Sequence, residues 1–201
     1  MRIFKRHAVL TLSLVITSHI CAWAENILPP TPIETFQVSQ SDIDKKFIAL
    51  FLKKQNIRNL DEYILWFKKN IHYKSDGGSD QWSTPIETIL RRSGDCEDLA
   101  FLNKTVLEVF GIESKVLGTQ KGSDHHVFCV FQYNQRIYIF DNTNYIKTKA
   151  ESVEEIAIFL YEKYNINYLL EVSLYPRSVS LLYSKNMLRN FSKSAHINPA
   201  I

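Results

Sequence analysis

Apolar positions recur at helical spacing in four stretches of the chain, and strand-like runs fall between the last two of them and once after the last. From Ser41, Phe47, Ile48, Phe51 and Leu52 form one stripe before Asn56. A second helix is predicted after Asp61, with Ile64, Leu65 and either Phe67 or Ile71 as its inner face and Trp66 on its flank. Thr84-Pro85-Ile86-Glu87 is a start signal: a threonine cap, a proline at the first helical position and a glutamate three residues after the cap. That short helix is predicted to run to about Arg92, where Ser93-Gly94 breaks it. Leu99, Leu102, Val106 and Phe110 then repeat at helical spacing up to Gly111. Strands are predicted over 114–118, 126–131, 136–140 and 168–174, the second and third joined as an antiparallel hairpin through Tyr133-Asn134-Gln135. A last helix is predicted over 151–164, with Val153, Ile156, Phe159 and Leu160 inward.

These elements predict an α+β domain over residues 41–184, helices first and an antiparallel sheet after them. Residues 25–40 hold Pro29, Pro30 and Pro32 without a period and read as an extended arm. Lys74 to Asp80 reads as a flexible loop by composition. Beyond Tyr175 the pattern fades, and residues 185–201 carry Lys185, Arg189 and Lys193 with no carboxylate, as a loose tail or a helix on the surface. No internal repeat is present.

The first two dozen residues change how the rest is read. Arg2, Lys5 and Arg6 precede an apolar run, and Ala22-Trp23-Ala24 offers a small-x-small cleavage pattern, so residues 1–24 read as a secretory signal peptide. The alternative is an uncleaved membrane anchor, since the apolar run can be extended to Ala24. This leader holds three of the 24 Lys+Arg and none of the 21 Asp+Glu, so the remainder is formally neutral. The basic sequence pI of 8.6 therefore makes no case for a nucleic-acid partner, and no aromatic-basic stripe or zinc-type cysteine pair makes one either. The 201-residue chain is 45% hydrophobic and 22% charged, enough apolar material for one core.

Candidate chemistry concentrates at Gly94-Asp95-Cys96-Glu97-Asp98-Leu99-Ala100. With Asp95 as N-cap, Cys96 falls in the first turn of its helix, where unpaired N–H groups and the helix dipole favour a thiolate. A nucleophilic thiol needs a base, and His125 and His126 are both available downstream, followed by Asp141 as an orienting carboxylate. The hairpin brings His126 and Asp141 to the same end, because one opens its strand and the other closes the partner. Once the leader is removed only Cys96 and Cys129 remain, and a disulfide between them is the plainest alternative in an oxidising compartment. Strand parity opposes it if His126 is the base, because His126 and Cys129 point to opposite faces; if His125 faces inward, Cys129 shares its face. The backbone N–H of Cys96 is one oxyanion donor, and Trp82 and its neighbours are candidates for a second. Asp95, Glu97 and Asp98 crowd negative charge around the thiol and raise its pKa. An imidazolium would offset this, as would a calcium ion taking oxygen ligands from Asp95 and Glu97.

Asp80-Gln81-Trp82-Ser83-Thr84-Pro85-Ile86-Glu87, the Gly94 to Ala100 stretch, His126-Val127-Phe128 and Phe140-Asp141-Asn142 together resemble the bacterial transglutaminase-like cysteine peptidases. The resemblance covers about residues 60–145. It implies a papain-like fold, a nucleophile helix packed on an antiparallel sheet, with Cys96 as nucleophile, His126 as base and acid, and Asp141 orienting the imidazole. It also implies a periplasmic, calcium-dependent protease that clips large surface adhesins and so releases biofilms, with an inner-membrane receptor for a cyclic dinucleotide as regulator. Leu99 and Phe128-Cys129 depart from the family's pattern without touching those three residues. Transglutaminase or amidase chemistry on glutamine side chains, and a non-catalytic binding module on the same scaffold, are the competing expectations.

Overall fold

The computed structural model describes residues 38–77 and 81–194. The expected signal peptide and nearly all of the arm, the tip of the 74–80 loop and the end of the tail lie outside them. Helix α1 (Gln40–Lys54) begins where the Ser39 side chain accepts the Asp42 N–H, and it buries Ile48 and Leu52. Helix α2 (Leu60–Asn70) is capped by Asn59. Its buried face is Leu60, Tyr63 and Phe67, continued by Ile71, while Leu65 is 72% exposed. The expected inner face is thus corrected at Leu65. Positions 60, 63, 67 and 71 make one helical stripe, and Tyr63 joins it because its hydroxyl finds a buried partner. That hydroxyl donates to Asn103 Oδ1 at 2.8 Å, and Asn103 Nδ2 donates to the Leu99 carbonyl at 2.8 Å.

Strands β1 (His72–Tyr73) and β2 (Ser93–Gly94) pair in parallel and flank helix α3 (Pro85–Arg91) in sequence. The capping box forms as the sequence predicts, with Thr84 and Glu87 satisfying each other's backbone N–H. Arg92, in the left-handed region at φ 56°, turns the chain out of α3. Helix α4 (Cys96–Val109) follows at once. It stops where Gly111 takes φ +72° and its N–H, with that of Ile112, closes back on the carbonyls of Glu108 and Leu107.

The remaining elements are β3 (Ser114–Lys121), β4 (Asp124–Tyr133), β5 (Arg136–Asp141), β6 (Asn144–Lys147), α5 (Val153–Tyr164), β7 (Tyr168–Ser173), β8 (Ser178–Ser184) and α6 (Lys185–Ser194). The strands form a six-stranded sheet in the order β6-β5-β4-β3-β7-β8, every neighbouring pair antiparallel. Asn134 and Gln135, both at positive φ, close the expected β4–β5 hairpin. The two faces of the sheet serve two layers. Val116, Cys129, Phe131, Phe140 and Val172 belong to the core that includes α4. Leu117, Phe128, Val130, Ile137 and Ile139 belong to the core that includes Ile156 and Ala157 of α5. The terminal stretch continues as α6, whose Leu188 is buried in that second core, so as far as residue 194 it is a packed helix and not a loose tail. Among the described residues no helix is long and apolar enough to cross a membrane.

The Tyr63 hydroxyl ties α2 to the helix that carries Cys96, inside the core. Tyr63→Phe leaves Asn103 Oδ1 buried without its donor and is expected to lower the unfolding free energy by about 1–3 kcal/mol. Urea denaturation at constant m-value measures it.

Candidate active site

Cys96 is the first residue of α4, and the residues on either side of it explain how a groove forms there. Asp98 folds back over the chain just before the helix. A Cβ on Gly94 would lie 2.5 Å from Asp98 Cβ and 2.9 Å from its Oδ2, so position 94 admits only glycine. Asp98 Oδ1 accepts the Ser83 N–H at 2.6 Å, and the Arg91 guanidinium lies 3.6 Å from Oδ2 while also donating to Ser83 Oγ. Burial pushes the Asp98 carboxyl up, against the pull of Ser83 and Arg91. The result is a clamp that holds the Trp82-Ser83 segment against the first turn of α4. The Trp82 ring packs on Phe101 at 5.4 Å, the Arg177 guanidinium lies 5.7 Å from its centroid, and Arg177 donates to the Trp82 carbonyl at 2.7 Å. The amides on either side are engaged, Gln81 N–H by Asp76 and Ser83 N–H by Asp98. Among the described residues the Trp82 N–H between them has no acceptor.

Asp95 holds the N-cap position, as expected, but its side chain makes no capping hydrogen bond. Its carboxylate is buried, with Oδ1 lacking a partner. Burial and then the charge of Asp98 push it up, while a hydrogen bond with the Glu97 side chain pulls it down. The half-buried Cys96 thiol donates to Glu97 Oε2 at 3.0 Å. Burial first, then Glu97, pushes that thiol up to about 12, with the Val127 backbone pulling the other way. The group at rest is a thiol.

A groove of about 630 Å³ runs past Cys96, and Trp82, Asp95, Glu97, His125 and His126 line it. His126 Nε2 and Asp141 Oδ1 are 2.7 Å apart, so the hairpin brings these two together as the sequence predicts. The sulfur's own hydrogen bond goes to Glu97 and not to an imidazole. Sheet alternation separates the two histidines. His126 shares the face of Phe128, whose ring centroid is 6.1 Å from its own, and of Val130 in the α5-side core. His125 shares the face of Val127 and Cys129, which pack in the core that includes α4. Cys129 is wholly buried there, and both cysteines are free, so the alternative of a Cys96–Cys129 disulfide is set aside.

Among the described residues no group of three His, Cys, Asp or Glu is placed to hold a metal ion. Asp95 and Glu97, side by side with an orphaned Asp95 oxygen, are suited to give two ligands to a hard cation, the rest coming from carbonyls and water. The sequence reading did not find Asp98 and Gly94 as a clamp or Arg177 as a brace. For the first a signal existed, a glycine four residues ahead of an acidic residue across a helix start. Arg177 lies 95 residues from Trp82 in a stretch without periodicity.

No curated protein matches the chain. Among solved structures, similar ones include a proposed cysteine protease from Cytophaga hutchinsonii (20% identity, TM-score 0.40, 74% of this chain and 57% of that one). Others are calcium-bound LapG of Legionella pneumophila (15%, 0.40, 82% and 86%) and a TGase (11%, 0.39, 65% and 38%). The chain thus spans little more than half of the first of these. The family model described as Transglutaminase-like domain matches residues 43–166, which is more than half of the sequence and runs from α1 to the approach to β7. That match takes in the Cys96 helix and strands β3 to β6 of the sheet, and the protein belongs to the transglutaminase-like domain family.

Proposed function

We propose that this protein is an exported cysteine endopeptidase with Cys96 as nucleophile, His126 as acid and base, and Asp141 as the residue that orients the imidazole. The observation that carries this reading is a half-buried thiol on the first residue of a helix, in one groove with two imidazoles, one of them carboxylate-bound. In the reaction, Cys96 sulfur attacks the peptide carbonyl carbon as its proton passes to the imidazole. The N–H of Cys96, free at a helix start, and the N–H of Trp82 receive the developing oxyanion. The imidazolium then protonates the leaving amine, giving a thioester, and the neutral imidazole takes a proton from the water that hydrolyses it. Resolution of the same thioester by an amine would make the enzyme a transglutaminase; new termini against crosslinks in the products tells the two apart.

Strand parity favours a second reading of the base. His125 lies on the face of the sheet that packs with α4, and it would reach the sulfur without passing the end of the strand. In both readings Cys96→Ala is expected to lower peptide cleavage by about three orders of magnitude or more with the melting temperature unchanged. If His126 is the base, His126→Ala removes turnover and Asp141→Asn cuts it strongly, while His125→Ala leaves it within about threefold. The reverse pattern assigns the base to His125. Rates of purified variants on one peptide measure both.

The substrate class in this reading is a large adhesin or another surface protein met in the periplasm, with an inner-membrane receptor as regulator. The leader-like residues 1–24 support export. Asp95 and Glu97 would hold a calcium ion, whose charge offsets that of the carboxylates round the thiol. A calcium-selective chelator is then expected to lower both the melting temperature and the cleavage rate. Added calcium restores them, and Asp95→Asn abolishes the melting response, as scanning calorimetry and a cleavage assay would record.

A further inference from the structure

The groove at Cys96 has a second end that the chemistry above leaves unused. The sheet face that packs with α4 continues beyond it across β3, β7 and β8 to the sheet edge. On that face Gly118 sits between its register partners Val127 and Leu170. A Cβ there would come within 3.1 Å of Val172 Cγ2 and 3.8 Å of Leu170 Cβ, so Val172 packs over the bare backbone and this end of the groove is lined by Gly118, Leu170, Val172 and Val179, with aliphatic side chains only. On the edge strand, Val179 pairs with Val172 and Leu181 with Leu170, which puts both on the same face. They are 54% and 56% exposed, and Val179 lines the same groove as Cys96. This apolar wall is fixed relative to the sulfur. The turn between β7 and β8 is tied to the Trp82 carbonyl by Arg177 at 2.7 Å and to Asp44 by the Tyr175 hydroxyl at 2.8 Å.

We infer that the end of the groove floored by Gly118 and Val172 and walled by Leu170 and the exposed Val179 is a specificity subsite that takes an aliphatic side chain of a peptide substrate close to the bond cut at Cys96. This deepens the peptidase reading and rests on it. What assigns the occupant is continuity: the aliphatic surface and the thiol share one groove, whose other end is acidic, so a chain lying along it sets an apolar side chain at one end only. Covering the exposed Val179 and the half-buried Leu170 with a Leu or Ile side chain removes apolar surface from water at both partners.

The test is cleavage of a mixed peptide library by the full chain, read by mass spectrometry, with iodoacetamide labelling of Cys96 and the melting temperature as controls. The wild type is expected to enrich Leu, Ile or Val at one fixed position near the cut. Val179→Asp, at an exposed edge, is expected to cut the ratio of kcat/KM for such a peptide to that for its Ala-substituted counterpart about tenfold. Leu170→Trp, which narrows the subsite from its wall, is expected to shift the preference to small residues. Cleavage with no aliphatic preference, or with one that neither variant alters, overturns the subsite and leaves the peptidase reading standing. No cleavage by a wild type whose Cys96 still labels overturns the peptidase reading and this substrate assignment with it.

Discussion

A single close approach, Asp98 laid over Gly94, is what the candidate site depends on. A helix start supplies a sulfur with free N–H groups beside it, but that is only one wall of a groove. The second wall is the Trp82-Ser83 segment, and it stands where it does because Asp98 Oδ1 holds the Ser83 N–H at 2.6 Å. Any Cβ at position 94 would overlap the Asp98 side chain, so the clamp exists only with glycine there. Gly-Asp-Cys-Glu-Asp is therefore one device with divided labour: residue 94 gives room, residue 96 the sulfur, and residue 98 grips the facing loop. Burying that carboxylate is costly, and the short hydrogen bond from the Ser83 N–H, with the Arg91 guanidinium 3.6 Å from Oδ2, offsets part of the cost.

The sheet then acts as a partition. Along β4 the odd-numbered residues 127, 129 and 131 meet the core that includes α4, and 128 and 130 meet the one that includes α5. Two consecutive histidines at its start necessarily straddle the partition. Because Cys129 pairs with Phe140, the next residue, Asp141, falls on the Phe128 side and within reach of His126. The carboxylate thus orients one imidazole while the other lies on the sulfur's side of the sheet. A strand fixes facing so rigidly that one residue of register exchanges the two roles.

Much of this was legible beforehand for plain reasons. The capping box at Thr84, the Gly111 stop and the Asn134-Gln135 hairpin are local chemistry, so the sequence states them directly. The pairing of His126 with Asp141 followed from hairpin geometry alone. Tyr63 was not legible as a core residue, since its burial depends on Asn103, forty residues away in another helix. Strands β6 and β8 were missed because they are edge strands, exposed or half-buried, with no run of buried apolar residues to mark them. Which histidine faces the thiol could not be read at all, because adjacent residues on a strand always offer one of each.

The resting hydrogen bond of the sulfur constrains any mechanism. A thiol has one proton to give, and here it goes to Glu97 at 3.0 Å, so the resting hydrogen bond and donation to an imidazole exclude each other. Burial and this contact with Glu97 push the thiol up to about 12, so the Glu97 hydrogen bond holds the proton on sulfur. The dipole of α4 favours the thiolate but is outweighed by burial and a neighbouring carboxylate. Yet the sulfur already lies beside the backbone of Val127, on the strand that carries both histidines. Drawing Glu97 aside would therefore do two things in one movement. It would release the proton for transfer to the strand's imidazole, and it would remove the strongest influence after burial that keeps the sulfur protonated.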